Sequence, residues 1–362
     1  MGVEFKLTDR ELPVSPVFVG FLEQVLSQRP VGAEIWPDQR SEALTRVDPA
    51  AHARANAAAV AVMSDDFGRE YLTRAYGLLV ALLVGEPAPF QALQASFQFI
   101  CVTGIARTGG SYLTAEIYRS LGIEPESVPP ALAHDGFPEA GPFRLQDGVN
   151  SWVVTLKTMA EYLTMVEVFF AGRAAHESRI VVPKKLTHFV HGGAFFRRLL
   201  GESMEQVLTL RHPVAACVST YEKSGGLPAD GRFAVRSNIE EWCRRDLEHT
   251  GCRAEQLAAM DYFAAYLRYW EQYHLALAMA GPAAAARLRV VAYGRDTLRA
   301  LARDYHLRYG SKLEPREFQV SDTARRRHPE WIERAQPAID RVAAAWKALG
   351  LEFPVSGISA CW

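Results

Sequence analysis

A glycine-rich stretch, TGIARTGGS at residues 103–111, has a composition suited to holding an anion. Four residues separate Gly104 from Gly109, and Gly110 and Ser111 come next. Glycines let the backbone curl tightly, so that successive N–H groups and the N-terminus of a following helix point at one anion. The stretch therefore predicts a phosphate-binding loop; a tight turn without a ligand is the alternative.

This loop differs from the nucleotide P-loop pattern at one position. The P-loop has lysine where this chain has Gly110, and the nearest cation is Arg107. A kinase or ATPase without that lysine lacks its main charge on the transferred phosphoryl group. The loop therefore favours a nucleotide without a triphosphate.

A second anion-binding pair is predicted further along the chain. Arg211 ends an apolar segment, and Ser219 lies eight residues later in a helical segment. A guanidinium offers a planar charged fork and a hydroxyl adds another donor, which together suit a second phosphate. The competing interpretation is an arginine paired with a carboxylate, and the loop upstream favours the phosphate.

Two lysines and a histidine follow another apolar segment. Lys184, Lys185 and His188 come directly after RIVVP at residues 179–183. In open parallel sheets, ligands lie beyond the carboxyl ends of the strands. We therefore expect these side chains to face the same crevice as the glycine-rich loop.

The elements that position these residues are predicted to alternate between strands and helices. Buried parallel strands are predicted at residues 97–102, 179–183, 205–210 and 288–293. In the N-terminal region, helices are predicted at residues 16–28, 50–63 and 69–84. The predicted fold class is α/β, with a central parallel sheet of about four to five strands flanked by helices. Residues 1–95 form a helical N-terminal region packed on a main domain of residues 96–362.

Composition argues against several classes of protein. The chain has 362 residues, 49% of them hydrophobic, so it can bury a core and disorder is not expected. Forty lysines and arginines against 41 aspartates and glutamates leave a net charge of −1. This balance argues against a general nucleic-acid or membrane-surface binder, so any anion site must be local.

Cysteine usage and hydropathy predict a soluble cytoplasmic protein. The five cysteines form no CxxC pair, and their odd number does not suggest a disulfide framework. Residues 1–10 lack the apolar core of a secretory signal, and the longest apolar run, residues 76–84, is too short to span a bilayer. No cluster of histidine, cysteine and carboxylate has ligand spacing, so no metal is predicted.

Taken together, these motifs resemble those of the sulfotransferases that use 3′-phosphoadenosine 5′-phosphosulfate (PAPS). The first signature of that family is a strand, a Pro-Lys/Arg-Ser-Gly-Thr-Thr/Ser loop and a helix, and ARTGGS at residues 106–111 stands in its place. The second signature is Arg-x-Pro with a serine eight residues after the arginine, and RHPVAACVS at residues 211–219 matches it. Ala106 and Gly110 depart from the first signature, where the family has proline and a hydroxyl residue. The similarity runs from Ser96 to Arg327.

The resemblance implies a P-loop-like sulfotransferase fold that holds the nucleotide at both ends. The 5′-phosphosulfate end would be bound by the loop residues Arg107, Thr108, Gly109, Gly110, Ser111 and Tyr112. The 3′-phosphate would be bound by Arg211 and Ser219. Further nucleotide contacts are implied for Tyr293 at a strand end and for the basic loop residues Arg325, Arg326 and Arg327.

It also implies the chemistry of sulfuryl transfer. His188 would be the general base, because it lies 23 residues before Arg211, a spacing similar to that in cytosolic members of the family. Lys184 or Lys185, helped by Arg107, would neutralise charge on the bridging oxygen or the sulfuryl group. The sequence does not choose between the two lysines. The reserve candidates for the base are His191 and Glu116.

PAPS is therefore the expected co-substrate, and adenosine 3′,5′-bisphosphate is the expected product. The expected acceptor is a hydroxyl group, or less favourably an amine, of a small-molecule metabolite. Two alternatives stay open: a P-loop-type small-molecule kinase, and a non-catalytic nucleotide-binding scaffold protein. Whether the chain forms a homodimer also stays open.

Overall fold

The segments predicted as strands pair into one parallel sheet. The computed structural model describes residues 14–27, 48–138, 148–201, 204–281, 287–320 and 327–360. Within these residues, four strands pair in the order β2-β1-β3-β4, with every neighbouring pair parallel. The strands are β1 (Phe97–Thr103), β2 (Ile180–Lys185), β3 (Glu205–Leu210) and β4 (Arg287–Ala292). The predicted α/β class with a central parallel sheet is confirmed, and the P-loop-like fold stays a prediction.

Helices precede, separate and follow the strands. Those of the N-terminal region are α1 (Pro16–Ser27), α2 (Pro49–Ser64), α3 (Asp66–Val84) and α4 (Ala88–Ser96). Those between the first and third strands are α5 (Gly110–Ser120), α6 (Pro130–Ala133), α7 (Gly148–Phe170) and α8 (Gly193–Leu200). Those after the third strand are α9 (Pro213–Lys223), α10 (Asn238–His249), α11 (Ala254–Ala259), α12 (Tyr262–Met279), α13 (Arg295–Arg308), α14 (Pro329–Ala348) and α15 (Val355–Ala360).

The chain divides into two compact units, each made of separate segments. The first comprises Met1–Pro89, Glu126–Glu139 and Val149–Arg173, and the second comprises Phe90–Pro125, Ala140–Gly148 and Ala174–Trp362. The division predicted from the sequence, at residues 95 and 96, stays a prediction. No helix in the described part of the chain is long and apolar enough to cross a membrane.

The first unit is a group of helices with well-defined starts. Asp48 and Asp65 accept hydrogen bonds from backbone N–H groups at the starts of α2 and α3, as good N-caps do. Arg74 on α3 donates two hydrogen bonds, of 2.9 and 2.8 Å, to the carboxylate of Glu167 on α7. This bidentate pair ties α7 to α3, although α7 lies far away in the sequence.

The second unit contains the sheet, and both faces of the sheet are covered. On one face, Ile100 and Val102 of β1 pack with Leu113 of α5 and Leu301 of α13. On the other face, Leu208 and Leu210 of β3 belong to a larger core with the aromatic helix α12 and with α14. The aromatic residues along α12 belong to the core: Tyr262, Phe263, Tyr266, Tyr269, Trp270 and Tyr273 are buried.

A buried carboxylate fixes the start of β3. Glu205 is fully buried and accepts hydrogen bonds from Tyr305 (2.6 Å) and Arg308 (2.5 Å) on α13. Its second ion-pair partner is Arg289 of β4, at 3.1 Å. Burial and the neighbouring carboxylate raise the pKa of Tyr305 above its usual range, so its hydroxyl stays a donor.

We expect Glu205→Gln to lower the free energy of unfolding by about 2 kcal/mol or more, because two arginines lose their buried counter-charge. The loss stays below that of a fully buried pair, since both arginines are partly exposed. The measurement is urea denaturation. The control is Glu314→Gln, which removes an exposed ion pair with Arg303 and should cost under about 1 kcal/mol. Equal losses for the two variants would contradict a structural role for this carboxylate.

Candidate functional site

The predicted anion-binding residues lie at the carboxyl edge of the sheet, where β1 and β3 are neighbours. The helix that follows β1 covers one face of the sheet, and the helix that follows β3 packs on the other. Adjacent parallel strands whose connections leave toward opposite faces create a crevice beyond their ends. The glycine-rich loop and Arg211 enter this crevice from its two sides.

The glycine-rich loop contacts Thr209 of β3 through a hydrogen bond. Thr108 is buried, and its hydroxyl lies 2.8 Å from both the carbonyl oxygen of Ile105 and Oγ1 of Thr209. A Cβ added at Gly104 would lie 2.4 Å from the backbone oxygen of Thr209, which is closer than any side chain allows. The first glycine is therefore needed for close approach to β3, and the Thr108 side chain serves the loop itself.

The loop ends in a helix N-terminus that no side chain caps. Gly109 has φ 85° and directly precedes α5, and Ser111 is exposed in the first turn of the helix. A Cβ on Gly109 would lie 2.5 Å from Leu298, so a close contact and a left-handed backbone both require glycine here. Uncapped N–H groups at a helix start are suited to an anion.

Arg107 turns away from the loop toward the second anion-binding pair. Its backbone is left-handed, with φ 73°, and its side chain is exposed. Nε donates a 3.0 Å hydrogen bond to the hydroxyl of Ser219. Its carbonyl oxygen accepts a 2.8 Å bond from the guanidinium of Arg211. The structure thus brings together three residues that the sequence assigned to opposite ends of a ligand.

Arg211 is a buried cation without a carboxylate partner. Only 4% of the residue is exposed, its Nε has no hydrogen-bond partner, and among the described residues no carboxylate lies within ion-pair distance of it. Burial lowers the pKa of its guanidinium, an effect to which the charge of Arg107 adds. Arginine nevertheless stays protonated in proteins. The orphaned donor and uncompensated charge call for an anion at this position.

Two aromatic side chains hold Arg211 in place. Its guanidinium lies 3.9 Å from the ring centroid of Tyr293, which follows β4. This is a close cation–π contact. The indole N–H of Trp270 on α12 donates a 3.0 Å hydrogen bond to the carbonyl oxygen of Arg211. Tyr293 was predicted as a ligand contact, and the structure gives it a supporting position beneath the arginine.

An aromatic wall adjoins the loop. Phe318 packs against Tyr112 and Tyr293, with ring centroids 4.7 and 5.4 Å apart. The Tyr112 hydroxyl donates a 2.8 Å bond to the carbonyl oxygen of Arg316 in the same segment as Phe318. Residues 311–320 have no regular secondary structure. Sequence reasoning missed Phe318 because an irregular segment carries no periodic signal.

The two candidate lysines lie on opposite faces of the sheet. Val181 packs with the core beneath α5, so alternation along β2 puts Lys185 on that face and Lys184 on the other. A Cβ added at Gly110 would lie 3.4 Å from Cε of Lys185, so the aliphatic part of this lysine lies beside the first residue of α5. Lys184 is only 1% exposed, and its charge partly offsets the burial that raises the pKa of Cys101 to about 12.

His188 and His191 lie in a short 3₁₀ turn, Thr187–His191, just beyond β2. The ring of His188 is 4.9 Å from that of Trp242 on α10. Nε2 of His191 lies 3.2 Å from Oδ1 of Asp246, an ion-pair distance without hydrogen-bond alignment. His188 is partly exposed at the sheet edge, whereas His191 has a carboxylate beside it.

The reserve base Glu116 is fully buried in a network of its own. Its carboxylate accepts hydrogen bonds from Arg119, and Oε2 lies 3.2 Å from Nε2 of His306 and 3.2 Å from the backbone nitrogen of Arg316. These contacts anchor the irregular segment to α5. They give Glu116 a structural position.

Of the predicted basic loop, Arg325 and Arg326 lie outside the described residues. Arg327 forms an ion pair with Glu222, three residues beyond Ser219 on α9. Among the residues that the structure describes, no group of three histidine, cysteine or carboxylate side chains is arranged to hold a metal ion.

The site therefore offers two sets of anion donors side by side. One set comprises the uncapped start of α5 with Lys185 above it. The other comprises the buried guanidinium of Arg211 with Ser219 and Arg107. Such an arrangement suits a ligand with two anionic groups.

Comparisons of the chain with protein-family models, with curated proteins and with solved structures found no match.

Proposed function

We propose that the chain is a sulfotransferase that moves the sulfuryl group of PAPS to a hydroxyl group of a small-molecule acceptor. The observation that carries the proposal is the buried guanidinium of Arg211, which has no carboxylate partner in the part of the chain that the structure describes and lies beside the glycine-rich loop. A nucleotide with a second phosphate supplies the missing counter-charge. ATP, whose phosphates form one chain at the 5′ position, has no separate group for this arginine.

PAPS is held in this proposal by both sets of donors. The 5′-phosphosulfate binds at the start of α5, where it accepts hydrogen bonds from the helix N–H groups and lies near Lys185. The 3′-phosphate takes Arg211 and Ser219. The wall of Tyr112 and Phe318 lies beside the loop, where an aromatic base can stack.

The transfer step needs a base, a cation at the transferred group and in-line positioning. His188 takes the proton of the acceptor hydroxyl as its oxygen bonds to sulfur. The bond between sulfur and the bridging oxygen of the 5′-phosphate breaks, and that oxygen leaves with the electron pair on adenosine 3′,5′-bisphosphate. Lys185 stabilises the charge that develops on the bridging oxygen.

One observation favours a second candidate, a kinase acting on a small molecule. The side chain of Lys185 lies beside Gly110, the position at which a P-loop carries its lysine. In this candidate, a lysine from β2 would supply the charge that the loop sequence lacks. This candidate requires binding of ATP with magnesium.

We expect adenosine 3′,5′-bisphosphate to raise the melting temperature without magnesium, and ATP with magnesium to leave it unchanged, because only the bisphosphate has an anion for Arg211. Arg211→Lys should weaken binding of the bisphosphate at least about tenfold, since a lysine lacks the charged fork. Differential scanning fluorimetry and calorimetry measure the two effects.

A matched control is Arg341→Lys, which alters an arginine paired with Glu271 on the surface of the same unit. It should bind the bisphosphate like the unmodified protein. Stabilisation by ATP with magnesium alone would favour the kinase. An unchanged dissociation constant for Arg211→Lys would remove Arg211 from the ligand site.

The opposite orientations of the two lysines lead to a second expectation. Lys185→Met should lower sulfuryl transfer by about 100-fold or more, because it removes a charge from the developing oxyanion. Lys184→Met should affect stability more than turnover, because Lys184 is buried on the other face. The measurements are transfer from radiolabelled PAPS and urea denaturation. The reverse pattern would give the role to Lys184.

Replacing the base should separate chemistry from binding. We expect His188→Gln to lower the transfer rate about 100-fold to 10,000-fold, the usual contribution of a general base, and to leave affinity for the bisphosphate unchanged. The control is His191→Gln, in the same turn but beside Asp246, which should retain most of the activity. Full activity of His188→Gln with a hydroxyl acceptor would exclude His188 as the base.

If the unmodified protein transfers sulfate to none of a broad panel of hydroxyl and amine acceptors but binds the bisphosphate, the non-catalytic scaffold becomes the better proposal.

A further inference from the structure

Arg107 is attached to the Arg211 site through both its side chain and its backbone. Its Nε donates to Ser219, and its carbonyl oxygen accepts from Arg211. The left-handed backbone at Arg107 is uncommon for a residue with a side chain and is strained. The contacts that this conformation permits are all on the β3 and α9 side of the crevice.

Arg107 and Arg211 bring two positive charges together. Neither arginine has a carboxylate within ion-pair distance among the described residues. Glu222 has only a small influence on the pKa of Arg211, and Glu222 is itself paired with Arg327. Two neighbouring guanidiniums without a counter-charge repel each other, and one of them is buried. A ligand of charge −2 relieves both the repulsion and the desolvation.

We propose that Arg107 is a specificity residue of the Arg211 site and not a ligand of the glycine-rich loop. Arg107, Arg211 and Ser219 together form a clamp that selects a phosphate monoester dianion over singly charged anions. This inference rests on the proposed function, and it reassigns Arg107 from the transferred sulfuryl group to the 3′-phosphate of the nucleotide.

With Arg107 assigned to the clamp, Lys185 is the cation at the glycine-rich loop. The aliphatic part of Lys185 lies beside Gly110, so this lysine is the cation that we assign to the loop in place of Arg107. Each anionic group of the ligand is then bound by its own cations: Lys185 at the loop, and Arg107 with Arg211 at the clamp. A monoester at the clamp carries a charge near −2 at neutral pH, whereas a cyclic diester carries −1. The pair of arginines should distinguish these two ligands more strongly than one arginine can.

The test is calorimetric titration of Arg107→Ala and of the unmodified protein with four probes. The probes are adenosine 3′,5′-bisphosphate, adenosine 3′-monophosphate, adenosine 2′,3′-cyclic monophosphate and adenosine 5′-monophosphate. We expect Arg107→Ala to weaken the bisphosphate and the 3′-monophosphate at least about tenfold, since it removes a charge-assisted contact. Affinity for the 5′-monophosphate should change less than twofold, and the preference for the 3′-monophosphate over the cyclic ester should shrink.

Lys185→Met is the complementary variant. It should weaken the 5′-monophosphate and the bisphosphate but leave the 3′-monophosphate unchanged. If Arg107→Ala instead weakens the 5′-monophosphate as much as the 3′-monophosphate, Arg107 acts at the loop and the inference is wrong. If Arg107→Ala and the unmodified protein prefer the 3′-monophosphate over the cyclic ester by the same factor, the proposal that the clamp selects a dianion is wrong.

The outcomes separate this inference from the proposed function. If the unmodified protein binds none of the four probes, the proposed function fails and the clamp assignment fails with it. If the unmodified protein binds the bisphosphate but Arg107→Ala does so equally well, only the assignment of Arg107 is overturned. Arg107→Lys is the control for a change of fold. Because lysine retains the positive charge, this variant should bind the bisphosphate more tightly than Arg107→Ala does.

Discussion

The candidate site depends on one buried cation, Arg211, which has no carboxylate partner among the residues that the structure describes. Desolvating a charge without a partner is among the costliest arrangements in a protein, and the chain surrounds Arg211 with what reduces that cost. The Tyr293 ring lies against the guanidinium, the carbonyl oxygen of Arg107 accepts from it, and Trp270 fixes its backbone. These contacts orient the group but do not neutralise it. The charge of Arg211 is therefore oriented by its neighbours and left without a counter-charge from the described residues.

The sheet order makes this arrangement possible. Because β1 and β3 are neighbours and their helices lie on opposite faces, the loop after one strand meets the arginine after the other. Thr209 joins them at the base, where its hydroxyl meets Thr108. The two anion-binding regions are thus parts of one hydrogen-bonded assembly, and a change in the backbone of β3 affects both.

Local rules predict much of this architecture from the sequence. The four strands and the glycine-rich loop follow from apolar segments and from backbone positions that need glycine, both of which depend on near neighbours in the chain. The roles of Lys184 and Lys185 depend on which face each occupies, and two adjacent lysines do not reveal that. Phe318 and the pairing of Glu222 with Arg327 depend on segments distant in sequence. The direction of the Arg107 side chain depends on one unusual backbone angle, which the residue types around it do not reveal.

The contact between Gly110 and Lys185 has a consequence for how such sites are recognised. The side chain of Lys185 on β2 lies against Gly110, the position at which a P-loop carries its lysine. The glycine-rich loop and the lysine beside it therefore lie in separate segments of the sequence. A search for one contiguous pattern finds two incomplete motifs. The complete motif exists only in three dimensions. Detecting such a site requires a search of the side chains that lie near a glycine in space, including those from other strands.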